Sequence, residues 1–144
     1  MPTPVSDISH VIQLAIAPVF LLTAVGTILN VLTGRLARAV DRRRVLTAEL
    51  PRLDAALAEV AQQELDFQHR RIRLVYIAIG LSVACALLVC LLISIAFVDA
   101  FVAWDLGKLV TALFVLALIA LTGSLAVFMR EIFLAVRTVR TPIR

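Results

Sequence analysis

Leu74 to Val98 reads LVYIAIGLSVACALLVCLLISIAFV, 25 residues without an Asp, Glu, Lys or Arg. A helix needs about 20 mostly apolar residues to cross the hydrocarbon core of a bilayer. Upstream, Val11 to Thr33 is a second charge-free window of 23 residues; downstream, Leu109 to Met129 is a third, of 21. They fill nearly half of a 144-residue chain that is 62% hydrophobic and 17% charged. Globular domains are roughly half apolar and about a quarter charged. A soluble bundle, a disulfide framework and a disordered chain are all excluded. The expected class is an all-α integral membrane protein, a single membrane domain over 1–144 with transmembrane helices at about 11–33, 74–98 and 109–129.

The charges outside the windows assign an orientation. Arg35 to Arg73 holds nine Arg against six acids, net +3, and Arg130 to Arg144 holds four Arg against Glu131, again +3. The remaining segments carry Asp7, Asp99 and Asp105 against Lys108, net −2. Basic segments stay cytoplasmic, so the expectation is N-terminus outside and C-terminus inside. Met1 to His10 contains no Lys or Arg, unlike the basic start of a cleaved leader, so the first window is read as a retained anchor. A pI near 10.0 would by itself raise nucleic-acid binding. Orientation already accounts for the arginines, no aromatic residues interleave with them, and no nucleic-acid partner is expected.

Residues 34–73 contain one proline, Pro51, and no glycine after Gly34. Leu36, Val40, Leu46 and Leu50 recur at helical spacing, as do Leu53, Leu57, Val60 and Phe67. Proline removes a backbone donor and restricts the residue before it, which places a turn between Glu49 and Leu53. Asp54 suits the first turn of the next helix, where the macrodipole favours an acid. The first two spans should therefore extend into a long cytoplasmic helical hairpin, with arms of roughly 24 and 30 Å at the helical rise. Pairing the arms about Pro51 sets Arg38 near Asp66, and Arg42 to Arg44 near Glu59 and Glu64. Exposed pairs of this kind contribute about 1 kcal/mol or less and would set register. Arg35, Arg38, Arg70, Arg71 and Arg73 stand at the membrane end of the arms. There they determine topology or hold anionic lipid head groups.

The first span is the least uniform of the three. Thr23, Gly26, Thr27, Asn30, Thr33 and Gly34 fall within an arc of about 120° on a helix, opposite Leu21, Val25, Ile28, Leu29 and Leu32. Lipid does not favour such an arc, so it should face protein or water. One reading is a helix-packing face, with Gly26 and Gly34 allowing close approach and Asn30 bonding across. Another is the lining of a pore in a ring of subunits, with Gln13 added to the polar set. A small-molecule or lipid cleft is a third. Pro18 can be accommodated inside a membrane helix.

The runs Ile8-Ser9-His10-Val11-Ile12-Gln13-Leu14-Ala15, Ala17-Pro18-Val19-Phe20-Leu21-Leu22-Thr23 and Asn30-Val31-Leu32-Thr33-Gly34-Arg35-Leu36-Ala37-Arg38, with Asp41-Arg42, resemble a bacterial membrane family catalogued as domain of unknown function 2721. Arg70-Arg71 before the second span and Arg130-Glu131 after the third extend the resemblance along nearly the whole chain. It implies a small multi-span protein of the bacterial inner membrane and carries no activity with it.

The other segments carry weaker signals. Cys85 and Cys90 lie about 140° apart on a helix, cannot bridge within it, and read as small hydrophobes. Tyr76 and Trp104 suit interfacial anchoring. Thr111, Thr122, Gly123 and Ser124 suit close packing of the third span. Residues 130–144 read as an amphipathic extension in which Ile132, Phe133, Val136 and Val139 alternate with Arg130, Arg137 and Arg140. No phosphate loop, Ser/His/acid set, metal-ligand cluster or intramembrane carboxylate is present in the sequence, so no enzyme, cofactor or metal is expected. The expectation is a homo-oligomer in the lipid bilayer, acting as an ion channel or permeation pore lined from the first span. The alternative is a non-conducting scaffold whose hairpin docks a cytoplasmic protein.

Overall fold

The structure, a computed structural model, describes residues 4–102 and 106–139. Trp104, Asp105, Arg140 and Arg144 lie outside the described residues, as do the side chains of Asp7, His10, Val136, Arg137 and Val139. The order is α1 (Pro4–Glu49), a 3-10 turn at Leu50–Arg52, α2 (Ala55–Val102) and α3 (Gly107–Val139), with no strand among the described residues. Each α-helix carries a stretch long and apolar enough to cross a membrane. The chain is a multi-pass membrane protein.

The ends of the helices follow from side-chain chemistry. Pro18 lies inside α1 without ending it, whereas Pro51 is the middle residue of the 3-10 turn that does. Leu53 is extended, with φ −88° and ψ 146°, and its N–H bonds the carbonyl of Leu50 at 3.4 Å. The carbonyl of Asp54 then accepts the N–H of Ala58 at 2.8 Å. Asp54 therefore stands at the N-cap position, one step before the first turn in which the sequence places it. Helix α2 runs on to Val102, into the segment expected as a connection. There the Asp99 carboxylate accepts the N–H of Leu106 at 3.2 Å, just before α3 starts.

Burial recurs every seven residues on each helix. On α1 the buried series is Val25, Leu32, Ala39 and Leu46; on α2 it is Ala61, Gln68, Val75, Ser82 and Val89, accompanied by Ala78, Cys85 and Leu92. On α3 it is Ala117, Ser124 and Glu131. A 3.5-residue period keeps one seam of a helix against its neighbours, and Ala, Ser and Cys in that seam allow close approach. Cys90, off the seam, is exposed while Cys85 is buried.

The chain divides into two compact units, Met1–Leu29 with Leu81–Gly123 and Asn30–Gly80 with Ser124–Arg144. In the first, Val25, Cys85, Val89, Leu92, Leu113 and Ala117 form an apolar core, and Leu81 meets the bare face of Gly123. In the second, the buried Ser124 hydroxyl donates to the carbonyl of Ala78 at 2.8 Å, a hydrogen bond between α3 and α2. Interhelical bonds of this type contribute roughly 0.6–2 kcal/mol in membranes. Ser124→Ala should lower stability by that amount, read from the detergent unfolding midpoint of the purified protein. Thr111→Ala should leave the midpoint unchanged, because the Thr111 hydroxyl only bonds back to Gly107 on its own helix.

Candidate functional site

Three charged side chains in the second unit meet where the apolar windows end. Arg35 follows the first window, Arg71 precedes the second and Glu131 follows the third. Glu131 belongs to the buried seam of α3 and is 1% exposed. Arg35 Nη1 donates to its Oε2 at 2.5 Å, while Arg71 donates to Oε1 through Nε at 3.1 Å and Nη2 at 2.8 Å. Each carboxylate oxygen thus has its own guanidinium. Arg35 also lies over the Phe128 ring, 5.3 Å from its centroid, and Arg71 over Phe67 at 6.0 Å. The arginine side chains keep 29% and 23% of their surface, so their hydrated edges are retained while the acid is fully enclosed.

Enclosing a carboxylate costs several kcal/mol, which is repaid only when paired charges and hydrogen bonds fill its lone pairs. Two charge-assisted arginine contacts do this for Glu131, and the aromatic faces add a smaller attraction. The cluster ties α1, α2 and α3 together at one level and carries one net positive charge. Near it on α2, Gln68 is buried with its Oε1 lacking a hydrogen-bond partner.

One turn pair further from the apolar windows, Arg42 meets Glu64 through Nε–Oε1 at 3.0 Å and Nη2–Oε2 at 3.4 Å. Arg35 to Arg42 is seven residues forward on α1, and Arg71 to Glu64 is seven back on α2, as antiparallel helices in heptad register require. Arg38 and Asp66 form no ion pair, nor do Arg43 or Arg44 with Glu59, among the described residues. A heptad step explains why: Arg42 and Glu64 each stand seven residues from the cluster residues Arg35 and Arg71, whereas Arg38 and Asp66 lie off that step.

The other residues singled out from the sequence lie in two places. Arg38, Arg70 and Arg73 are exposed, so of the basic group only Arg35 and Arg71 join the cluster. On α1, Gln13, Thr23, Gly26, Thr27, Asn30 and Thr33 are exposed and Gly34 is half-buried, while Val25 and Leu32 on the opposite side are fully buried. The Thr23 hydroxyl donates to Val19, that of Thr27 to Thr23 and that of Thr33 to Asn30, each to a backbone carbonyl of α1. A Cβ at Gly26 would meet nothing among the described residues within 4 Å. No group of three or more metal-ligating side chains occurs among the described residues.

Glu131 was missed as a site residue. The signal was present: it is a lone acid in a basic tail, seven residues after Ser124 and fourteen after Ala117.

A family model described as "Protein of unknown function (DUF2721)" matches residues 15–141, and the chain belongs to that family. No curated protein and no solved structure matches the chain.

Glu131→Gln leaves two partly hydrated guanidinium groups facing a neutral amide. It should cost more than the loss of an exposed pair but no more than about 3–5 kcal/mol, the cost of a buried charge left unpaired. The exposed Arg42–Glu64 pair should contribute about 1 kcal/mol or less. Unfolding of Glu131→Gln and of the double variant Arg42→Ala/Glu64→Ala compares the two directly. Equal small losses would show that the enclosed cluster constrains nothing.

Proposed function

We propose that this member of the DUF2721 family assembles into a homo-oligomer through the polar arc of α1 and that the arc lines a permeation path across a bacterial inner membrane. The observation that supports this is the direction of the arc. The apolar side of α1 is taken up inside the chain, and Thr23, Gly26, Thr27, Asn30 and Thr33 are left outward. The Asn30 carboxamide has no partner in the chain among the described residues, and hydrocarbon supplies none. Gly26 leaves room for the backbone of another copy.

Because the threonine hydroxyls donate to their own helix, their oxygen lone pairs turn outward as acceptors. With the Asn30 carbonyl, they favour cations and neutral polar solutes over anions. The same side of α1 becomes apolar towards its start, where Ile12, Ile16, Val19 and Phe20 are all exposed, Phe20 at 72%. In a ring of copies these side chains form a constriction that gates by dewetting. Gln13 lies at the flank of this face. The arginine distribution supports an N-terminus outside and a C-terminus inside, with the Arg42–Glu64 arms forming a cytoplasmic hairpin.

The test is cation flux in proteoliposomes, alongside crosslinking of the reconstituted protein. Phe20→Ser should raise basal flux at least tenfold, and Asn30→Leu should abolish it. Gly26→Leu should leave the protomer folded but dissolve the oligomer, because Gly26 is exposed and a Cβ there meets nothing among the described residues within 4 Å. A monomer in the bilayer, or a stable oligomer without flux in parent and Phe20→Ser alike, would overturn the pore.

The second outcome would leave the scaffold reading, which has its own support. Val45 on α1 and Leu57 and Val60, one turn apart on α2, lie beyond the apolar windows and are 49–56% exposed, apolar side chains on the arms suited to a protein partner. Leu57→Ser/Val60→Ser should then release any partner that copurifies with the parent, with the oligomer intact by crosslinking.

A further inference from the structure

A groove of about 420 Å³ lies on the second unit, lined by Arg43 of α1 and by His69, Ile72, Arg73, Tyr76 and Ile77 of α2. His69, Arg73 and Tyr76 stand at i, i+4 and i+7, so they share one helix face. Its charged and apolar surfaces are offset along α2. Arg43, His69 and Arg73 are exposed at one end over the buried Ile72, and the exposed Tyr76 and Ile77 continue towards the other. The second apolar window begins at Leu74, between Arg73 and Tyr76.

No acid lines the groove, and Arg43, His69 and Arg73 enter no ion pair among the described residues. The contrast with Arg35 and Arg71 is chemical. Those two are neutralised in part by Glu131, whereas the guanidinium groups of Arg43 and Arg73 remain available. Arginine binds phosphate through paired donors, and an imidazole adds a further N–H. A phosphate held at that level would sit where the membrane-spanning part of α2 starts. A chain running from it into the bilayer would pass over Tyr76 and Ile77, which are 57% and 43% exposed.

We propose that this groove is a binding site for an anionic phospholipid. The head-group phosphate lies between Arg43, His69 and Arg73, and the upper acyl chain lies along Tyr76 and Ile77. Charge complementarity selects the lipid, since a zwitterionic head group would place its ammonium among unpaired arginines. The site rests on the chain being a membrane protein and is independent of whether α1 conducts.

The experiment is native mass spectrometry of the full-length protein in detergent, titrated with phosphatidylglycerol, phosphatidylcholine and inorganic phosphate. Phosphatidylglycerol should be retained in preference to phosphatidylcholine. An arginine near an anionic lipid surface contributes about fivefold in affinity, so Arg43→Gln/Arg73→Gln should weaken phosphatidylglycerol binding about thirtyfold. The matched control Arg44→Gln/Arg52→Gln, at exposed arginines outside the groove, should leave it unchanged. Ile77→Ser should lower affinity for the lipid at unchanged circular dichroism, and each single arginine variant should lose about fivefold. Unchanged phosphatidylglycerol binding by the double variant would overturn the proposal. So would inorganic phosphate displacing the lipid equally from parent and Ile77→Ser, which would make this a free-phosphate site. A change of oligomeric mass with lipid retention intact would assign the groove to a second copy of the chain and would also overturn it.

Discussion

Hydrocarbon offers the peptide backbone no hydrogen-bond partner, so each of the three charge-free windows must satisfy its N–H and carbonyl groups within itself. Helix is the form open to three isolated windows, and the helices do not stop where the windows do. Helix α1 passes from apolar residues into the arginine-rich segment without a break, and only Pro51 ends it. Threonines inside the spans obey the same constraint locally. Thr23, Thr27, Thr111 and Thr122 each return their hydroxyl proton to a carbonyl one turn back. Polarity is thereby carried at low cost, and Asn30, whose carboxamide makes no such bond among the described residues, stands out.

Within that frame, packing is organised by a period of seven. Small and apolar residues fill most of the seam, and most of the polar residues in it are answered by a partner, Gln68 Oε1 being an exception. Ser82 and Ser124 are fully buried, and Ser124 bonds to Ala78. Glu131 is the extreme case, an enclosed acid between two arginines that arrive from different helices. The cluster stands just outside the windows, where long arginine side chains can reach water while the carboxylate cannot. It resists sliding of α3 against α1 and α2 more specifically than apolar contacts do, because a one-residue slip would leave a buried charge without its partner.

The same arithmetic divides the basic residues by role. Thirteen arginines look alike as a topology signal. In the fold, Arg35 and Arg71 lock an acid, Arg42 pairs at the surface with Glu64, and Arg43 and Arg73 edge a groove with an apolar floor. Exposed arginines beside apolar surface at a membrane boundary are suited to lipid phosphate, whereas neutralised ones act as structural fasteners. The outward arc of α1 stands apart from both groups, since it contains no charge and is kept polar by Thr and Asn alone.

Much was legible in the residues themselves. The charge-free windows determined three helices, because lipid permits no other backbone solution for them. Pro51 determined the turn, since it lacks an N–H and restricts Leu50. The 100° step of a helix placed Thr23 to Gly34 in one arc opposite Val25 and Leu32. Other features depended on which helices lie side by side. Sequence spacing paired the arms about Pro51 but could not tell that a heptad register selects Arg42–Glu64 over Arg38–Asp66. Nor could it join Arg35, Arg71 and Glu131, which are separated by up to 96 positions and meet only because three seams converge. Periodicity within one helix is local and is written in its residues. Register between helices is a choice among near-equivalent seven-residue slips, and the buried charges at the end of the windows decide it.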